Sequence, residues 1–203
     1  AIIPLTETIR SNKDELTLLK KLIKKVKSSN NISKIYLLDE NDEISKINQV
    51  FFIKRSEDIS QDKVPLEIAL NFCLLKIEEG NFYPDKILYL NHDYLFRPEN
   101  LFDDLSVKCA YAGYETIFPA FEDYGNLWLK NEQGEFDPIS RSLESRKSKN
   151  PIYRALYGQG CLTNASLLRK KKLIGTKVGI ISLTNMKYTL RLNEDGAQEI
   201  LNK

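Results

Sequence analysis

The sequence predicts an α/β fold, a three-layer α/β/α arrangement around a mostly parallel sheet. Two observations carry that prediction. Short apolar runs alternate with segments of helical period in the order β-α-β-α-β-α-β-α up to residue 105, which is the pattern of a sheet whose crossover helices cover its faces. The run Ile87-Leu88-Tyr89-Leu90 is apolar at consecutive positions rather than at every second one, as expected of parallel strands buried on both faces.

The elements follow in order. Ala1-Ile2-Ile3-Pro4 reads as a buried strand closed by proline. From Asp14 to Lys27 the residues Leu16, Leu19, Leu22, Ile23 and Val26 recur at helical spacing, with Asp14 and Glu15 first and lysines last, the order the helix dipole favours. Lys20, Lys21, Lys24, Lys25 and Lys27 then form either a nucleic-acid patch or the solvated face of that helix. Ile35-Tyr36-Leu37-Leu38 reads as a second strand, residues 44–48 as a short helix and Val50-Phe51-Phe52-Ile53 as a third strand. A stronger helix has Pro65 near its first turn and Gly80 just past its end. After the fourth strand, 87–90, another helix is expected over 98–105. Residues 120–150 are polar and turn-rich around the sole tryptophan, Trp128. They read as an excursion from one single domain over 1–203, one that cannot bury Leu127, Trp128 and Leu129 alone and so serves dimerisation. Strands over 158–162, 178–183 and 188–192 and helices over 166–172 and 194–201 complete the reading.

Composition narrows the function. Thirty Lys and Arg face 28 Asp and Glu, a net charge of +2 over 203 residues, which removes the electrostatic case for a nucleic-acid binder. No stretch approaches the ~20 apolar residues of a membrane span, and the first residues have no signal-peptide pattern. A soluble, cytoplasmic protein is expected. Cys73, Cys109 and Cys161 are odd in number and widely separated, so they read as buried, inert thiols in a reducing compartment rather than a zinc site or disulfide framework.

Ligands of parallel sheets bind beyond the carboxyl ends of the strands, here residues 5–13, 39–43, 55–62 and 91–97. In Asn91-His92-Asp93, Asp93 is placed either to hold a divalent metal that bridges nucleotide phosphates or to form a turn. Asp195 follows a predicted strand and opens a helix, as a second metal carboxylate or as an N-cap. His92, the one histidine, lies near no recognisable nucleophile motif, which favours a structural or substrate-contacting role over general base. Gly158-Gln159-Gly160 allows either close backbone approach to a ligand or a bulge. No Walker-type or GxGxxG loop is present.

Taken together, these segments resemble the sugar cytidylyltransferases: the acylneuraminate and 3-deoxy-manno-octulosonate CMP-transferases and the related spore-coat polysaccharide proteins. Ala1-Ile2-Ile3-Pro4 resembles the family's opening strand. The segment from Arg55 to Asp62 is similar to its arginine-led stretch ending in aspartate. Asn91-His92-Asp93-Tyr94-Leu95-Phe96, followed by Arg97-Pro98-Glu99, resembles its strand-end motif. Asn150-Pro151-Ile152-Tyr153-Arg154 leads to Gly160 as its Pro-x-x-aromatic-Arg stretch leads to glycine, and Asp195-Gly196-Ala197-Gln198-Glu199-Ile200 resembles its closing Asp-Thr-Pro-Glu-Asp-Leu. The first loop departs from the pattern, with Thr6 at the family's arginine position and Glu7 beside it.

The resemblance implies a Rossmann-like, nucleotide-diphospho-sugar transferase fold. It also implies a homodimer and Mg²⁺-dependent transfer of CMP from CTP to an acidic sugar for a surface glycan. Asp93 and Asp195 would be the catalytic metal ligands. Arg10, Lys13, Arg55 and Asp62 would bind nucleotide, and Asn91, His92, Arg146 and Tyr153 the acceptor sugar. Two alternatives stand beside it: a non-catalytic relative that keeps the fold to bind a sugar or partner, and a glycosyltransferase using a sugar nucleotide. The latter would read residues 86–93 as a strand-end DxD region with Asn91 in place of the first acid.

Overall fold

The computed structural model describes residues 1–5, 9, 13–39, 50–59, 64–139 and 148–192. Strands β1 (Ile2–Pro4), β2 (Tyr36–Asp39), β3 (Phe51–Lys54) and β4 (Lys86–Tyr89) alternate with helices α1 (Lys13–Lys27) and α2 (Leu66–Glu79). Helix α3 (Leu101–Ala112) and the eight-residue β5 (Thr116–Asp123) follow. A hairpin of β6 (Trp128–Lys130) and β7 (Phe136–Pro138) leads to β8 (Ile152–Ala155), β9 (Cys161–Asn164), α4 (Ala165–Arg169) and β10 (Val178–Leu183). The sheet runs β10-β5-β9-β4-β1-β2-β3, with β8 beside β5. Strand β1 pairs parallel with β2 on one side and β4 on the other. The chain thus reverses its winding between β1 and β4, the crevice where open α/β sheets take ligands.

Two apolar layers sandwich the sheet. Ile3, Leu37 and Leu88 meet α1 and α3 through Leu19, Leu22, Ile23, Leu101 and Leu105. Their strand neighbours Ile2, Leu38 and Ile87 meet α2 and α4 through Leu70, Cys73, Leu74 and Leu168. Successive strand residues therefore serve opposite faces, which is why the sequence shows unbroken apolar runs. On α1 the buried stripe leaves Lys20, Lys21, Lys24 and Lys27 exposed, so the lysine run is the solvated face of a helix. All three cysteines are buried and free, and burial pushes the Cys161 thiol up to about 12. Among the described residues no helix is long and apolar enough to cross a membrane.

Several expectations shift. The sheet is mixed: β9 lies antiparallel between β4 and β5, and β8 antiparallel on β5. Helix α3 starts three residues later and runs seven residues beyond the expected end, to Gly113, whose φ of 64° stops it. The excursion begins after β5 rather than at residue 120. Residues 158–160 are not strand: Tyr157–Gln159 is a 3-10 turn before β9. The expected strand 188–192 is a 3-10 turn, Met186–Thr189, held by the Asn185 side chain on the Lys187 N–H, followed by one bridge between Arg191 and Tyr94. The helices expected at 44–48 and 194–201 lie outside the described residues.

Strands β8 and β9 together form one interrupted strand along β5. Strand β8 pairs with residues 120–123 and β9 with residues 116–117. The interruption, residues 156–160, bulges toward the end of β4.

Candidate active site at the end of β4

The loop after β4 seats on that bulge. Asn91 donates its backbone N–H to Gly158 O at 2.8 Å. A Cβ at Gly158 would lie 2.8 Å from both Asn91 Cβ and Tyr94 Cε2, so this glycine is required by the protein's own loop and not by a ligand. Arg97 closes the loop from inside. Its guanidinium donates to the carbonyls of Tyr94 (3.3 Å), Gln159 (3.3 Å), Gly158 (3.4 Å) and, at the shortest contact, Asn91. Burial draws the Arg97 pKa down to about 10, with the charge of Asp93 opposing. Gln159, fully buried, adds its side-chain N–H groups to Phe96 O at 2.8 Å and to Tyr188 O. Carbonyl groups from three chain segments are thereby organised about one loop.

Asp93 is the carboxylate so placed. It is 6% exposed, and its Oδ2 accepts from Arg191 Nε at 2.8 Å and pairs with Nη2 at 2.5 Å. The backbone fixes Arg191 there. Leu192 N–H donates to Asp93 O at 2.9 Å, and Leu95 N–H to Leu190 O at 3.1 Å. The Tyr94 ring has a guanidinium 5.6 Å from its centroid twice over, from Arg97 and from Arg191. Asp93 Oδ1 is buried and has no hydrogen-bond partner among the described residues. An ionised carboxylate oxygen only accepts, so a buried one in this state fits a hard cation such as Mg²⁺, which takes oxygen ligands. Among the described residues no cluster of three or more His, Cys, Asp or Glu accompanies it; Asp195 lies outside them, three residues after Leu192.

His92 is buried and points elsewhere. Its Nε2 lies 3.3 Å from Glu15 Oε2 in the first turn of α1, both side chains being inaccessible. This joins the β4 loop to the helix that follows β1, a structural role. Burial holds the His92 pKa below the usual histidine value, against the opposing pull of Glu15 and Asp93. The neutral ring is then the native form, donating Nε2–H to the carboxylate. A depressed histidine binds fewer protons folded than unfolded. Its contribution is whole above the unfolded pKa of about 6.5 and is lost as pH falls from there toward the lower folded value. The thermal midpoint of the wild type should therefore fall more steeply below pH ~6.5 than that of His92→Gln; parallel curves would refute this.

The other expected residues scatter along the same edge. Lys13 is exposed at the first position of α1, two residues before Glu15. Arg55 is buried at the end of β3, its backbone N–H on Asp39 O at 2.6 Å. Asn91 is half-buried on the Asp93 loop. Tyr153 is exposed on β8, in register with Glu122, and so belongs to the β5 edge. Arg10, Asp62, Arg146 and Asp195 lie outside the described residues, which leaves the expected meeting of Asp93 and Asp195 untested. Glu15, Arg97, Gln159 and Arg191 were not expected in the site. Arg97 stood within the quoted strand-end motif, whereas nothing local marks Arg191, 98 positions from its partner.

No family model matches the sequence, and no curated protein matches it. Solved structures do. The 4-diphosphocytidyl-2C-methyl-D-erythritol synthase of Anaerococcus prevotii is similar at 13% identity and a TM-score of 0.64, over 100% of this chain and 97% of that one. The 2-C-methyl-D-erythritol 4-phosphate cytidylyltransferase of Francisella tularensis gives 12% and 0.68, over 99% and 96%. A CMP:2-keto-3-deoxy-manno-octonic acid synthetase complexed with CTP gives 7% and 0.65, over 98% and 95%. At these identities the likeness is one of fold: the described residues have the mostly parallel α/β architecture of the nucleotide-diphospho-sugar transferase type, shared with these solved structures.

Proposed function

We propose that the protein is a cytidylyltransferase that transfers CMP from CTP to a hydroxyl of an acidic sugar. The acceptor oxygen would form a bond to the α-phosphorus as the bond to the pyrophosphate oxygen breaks. The carrying observation is Asp93, buried at the end of β4 beside the winding reversal with one carboxylate oxygen unpartnered among the described residues. The fold shared with a synthetase complexed with CTP supports the choice of nucleotide.

Asp93 and Asp195 would hold Mg²⁺, which when bound would offset charge on the transferring phosphoryl group. The chain's own part is placement. Arg97 and Gln159 fix the Asp93 loop, and the His92–Glu15 contact fixes that loop against α1. Lys13, Arg10 and Arg55, with Asp62, would line the nucleotide. Asn91, Arg146 and Tyr153 would face the acceptor, and the guanidinium groups of Arg97 and Arg191 near Asp93 favour an acidic one. Such positioning of two anions, with charge stabilisation, is most of what phosphoryl transfer asks of a protein. The hairpin would carry a homodimer, since Trp128, Leu129 and Phe136 are each 60% exposed or more.

Nucleotide-induced thermal stabilisation tests the reading. CTP with Mg²⁺ at 100 times its Kd should add about 2.7 kcal/mol, and Asp93→Asn should abolish the Mg²⁺-dependent part. A shift with a UDP-sugar instead would mark a glycosyltransferase. No shift with any nucleotide would favour a non-catalytic relative, the second reading, which the existing Asp93–Arg191 ion pair and the Thr6-Glu7 departure in the first loop support.

A further inference from the structure

We infer that Arg191 is a built-in counter-cation competing with a divalent metal for Asp93, so that metal binds this site only together with a phosphate-bearing ligand that takes up the guanidinium. The inference rests on the proposed cation role of Asp93 and concerns the regulation of that same site.

Three observations lead there. The ion pair is registered by the backbone rather than formed by a wandering surface side chain: the Arg191–Tyr94 bridge and the bonds from Leu192 N–H to Asp93 O and from Leu95 N–H to Leu190 O set residues 190–192 against the Asp93 loop. The carboxylate is engaged on Oδ2 by two guanidinium nitrogens, while Oδ1 stays buried and unpartnered among the described residues. The charge balance is inverted for a metal site. Among the described residues the Asp93 carboxylate is contacted by the Arg191 guanidinium, and the half-buried Arg97 sits on the same loop with its guanidinium on loop carbonyls.

A bare divalent ion approaching Oδ1 therefore meets the guanidinium already paired with the same carboxylate, and the two cations repel each other across it. An anion meets the reverse. The Arg191 side chain is 45% exposed, so a phosphate can reach its guanidinium from the solvent side and form the bidentate contacts arginine favours. Once a phosphate shares the guanidinium, the repulsion on Oδ1 falls and the phosphate oxygens supply further metal ligands. Metal and phosphate then raise each other's affinity by the same factor, as linkage requires.

The test uses Mn²⁺ as the probe, followed by calorimetry and by its paramagnetic resonance signal, with no turnover needed. Wild-type protein should take up Mn²⁺ at least about tenfold more tightly with CTP present than alone, within the usual range of coupling between sites. Arg191→Gln should bind Mn²⁺ alone at least about tenfold more tightly than wild type. Arg191→Lys, which keeps the charge, should stay near wild type, separating charge from a loosened strap, and thermal midpoints of all three confirm folding. Equal Mn²⁺ affinity in wild type and Arg191→Gln would overturn the inference, as would wild-type binding of Mn²⁺ alone as tight as with CTP. If CTP binds nowhere, the proposed function fails, and the comparison of the variants with Mn²⁺ alone still decides the role of Arg191.

Discussion

Arg97→Met should destabilise the protein by about 2–4 kcal/mol, a large effect for a single substitution. Methionine fills much of the volume of the arginine stem but supplies no donor. The carbonyls of Asn91, Tyr94, Gly158 and Gln159 all receive the Arg97 guanidinium, and each buried acceptor left unsatisfied costs about 1–3 kcal/mol. Gly158 O retains the Asn91 N–H, which limits the loss at that carbonyl. Chemical denaturation checks this: a lowered midpoint with unchanged slope is expected. A loss under 1 kcal/mol would mean that water replaces the guanidinium and that the loop does not depend on it.

Replacing Trp128 and Phe136 together by glutamate should convert the proposed homodimer to monomer. Both lie on the β6–β7 hairpin, in register at neighbouring positions: Trp128 opposite Pro138 and Lys130 opposite Phe136. A two-stranded hairpin has no second layer of its own over these side chains, and aromatic anchors each contribute about 2 kcal/mol or more at an interface. Two such losses, occurring on both protomers, weaken association by a thousandfold or more, roughly 1.4 kcal/mol per factor of ten. Light scattering at micromolar concentration should show the dimer mass for wild type and half of it for the variant, with the thermal midpoint nearly unchanged. A wild-type monomer would end the dimer proposal.

How much of this was legible depends on where the information sits. Strands β1 to β4 could be read because each is a local apolar run, and α2 because Pro65 and Gly80 bracket it. Strand β5 was missed, although it is the longest among the described residues, because Pro119 sits in its middle and Glu122-Asp123 end it. Proline is tolerated there for a reason only pairing reveals. The carbonyl of Pro119 faces the gap between β8 and β9, where Leu156 N–H bonds it at 2.9 Å. The missing N–H faces the same gap, and no ladder bond is lost. Asp93 was legible from its place after an apolar strand. Its engagement by Arg191 was not, since that contact follows from the chain crossing the loop at residues 190–192 after β10.

The position of β9 also bears on how the molecule is made. Strand β4 has β1 on one side, available early in synthesis, and β9 on the other, through pairs such as Tyr89 with Cys161. Until the ribosome has delivered the intervening residues, the nascent sheet of β1 to β4 exposes the β4 edge of Ile87, Leu88 and Tyr89, with backbone groups unpaired. An apolar edge of that kind is a template for pairing with another chain, and contacts of such long sequence separation form slowly. Fragments that stop short of β9 should therefore aggregate more readily than the full chain, because one antiparallel strand arrives late in the middle of the sheet.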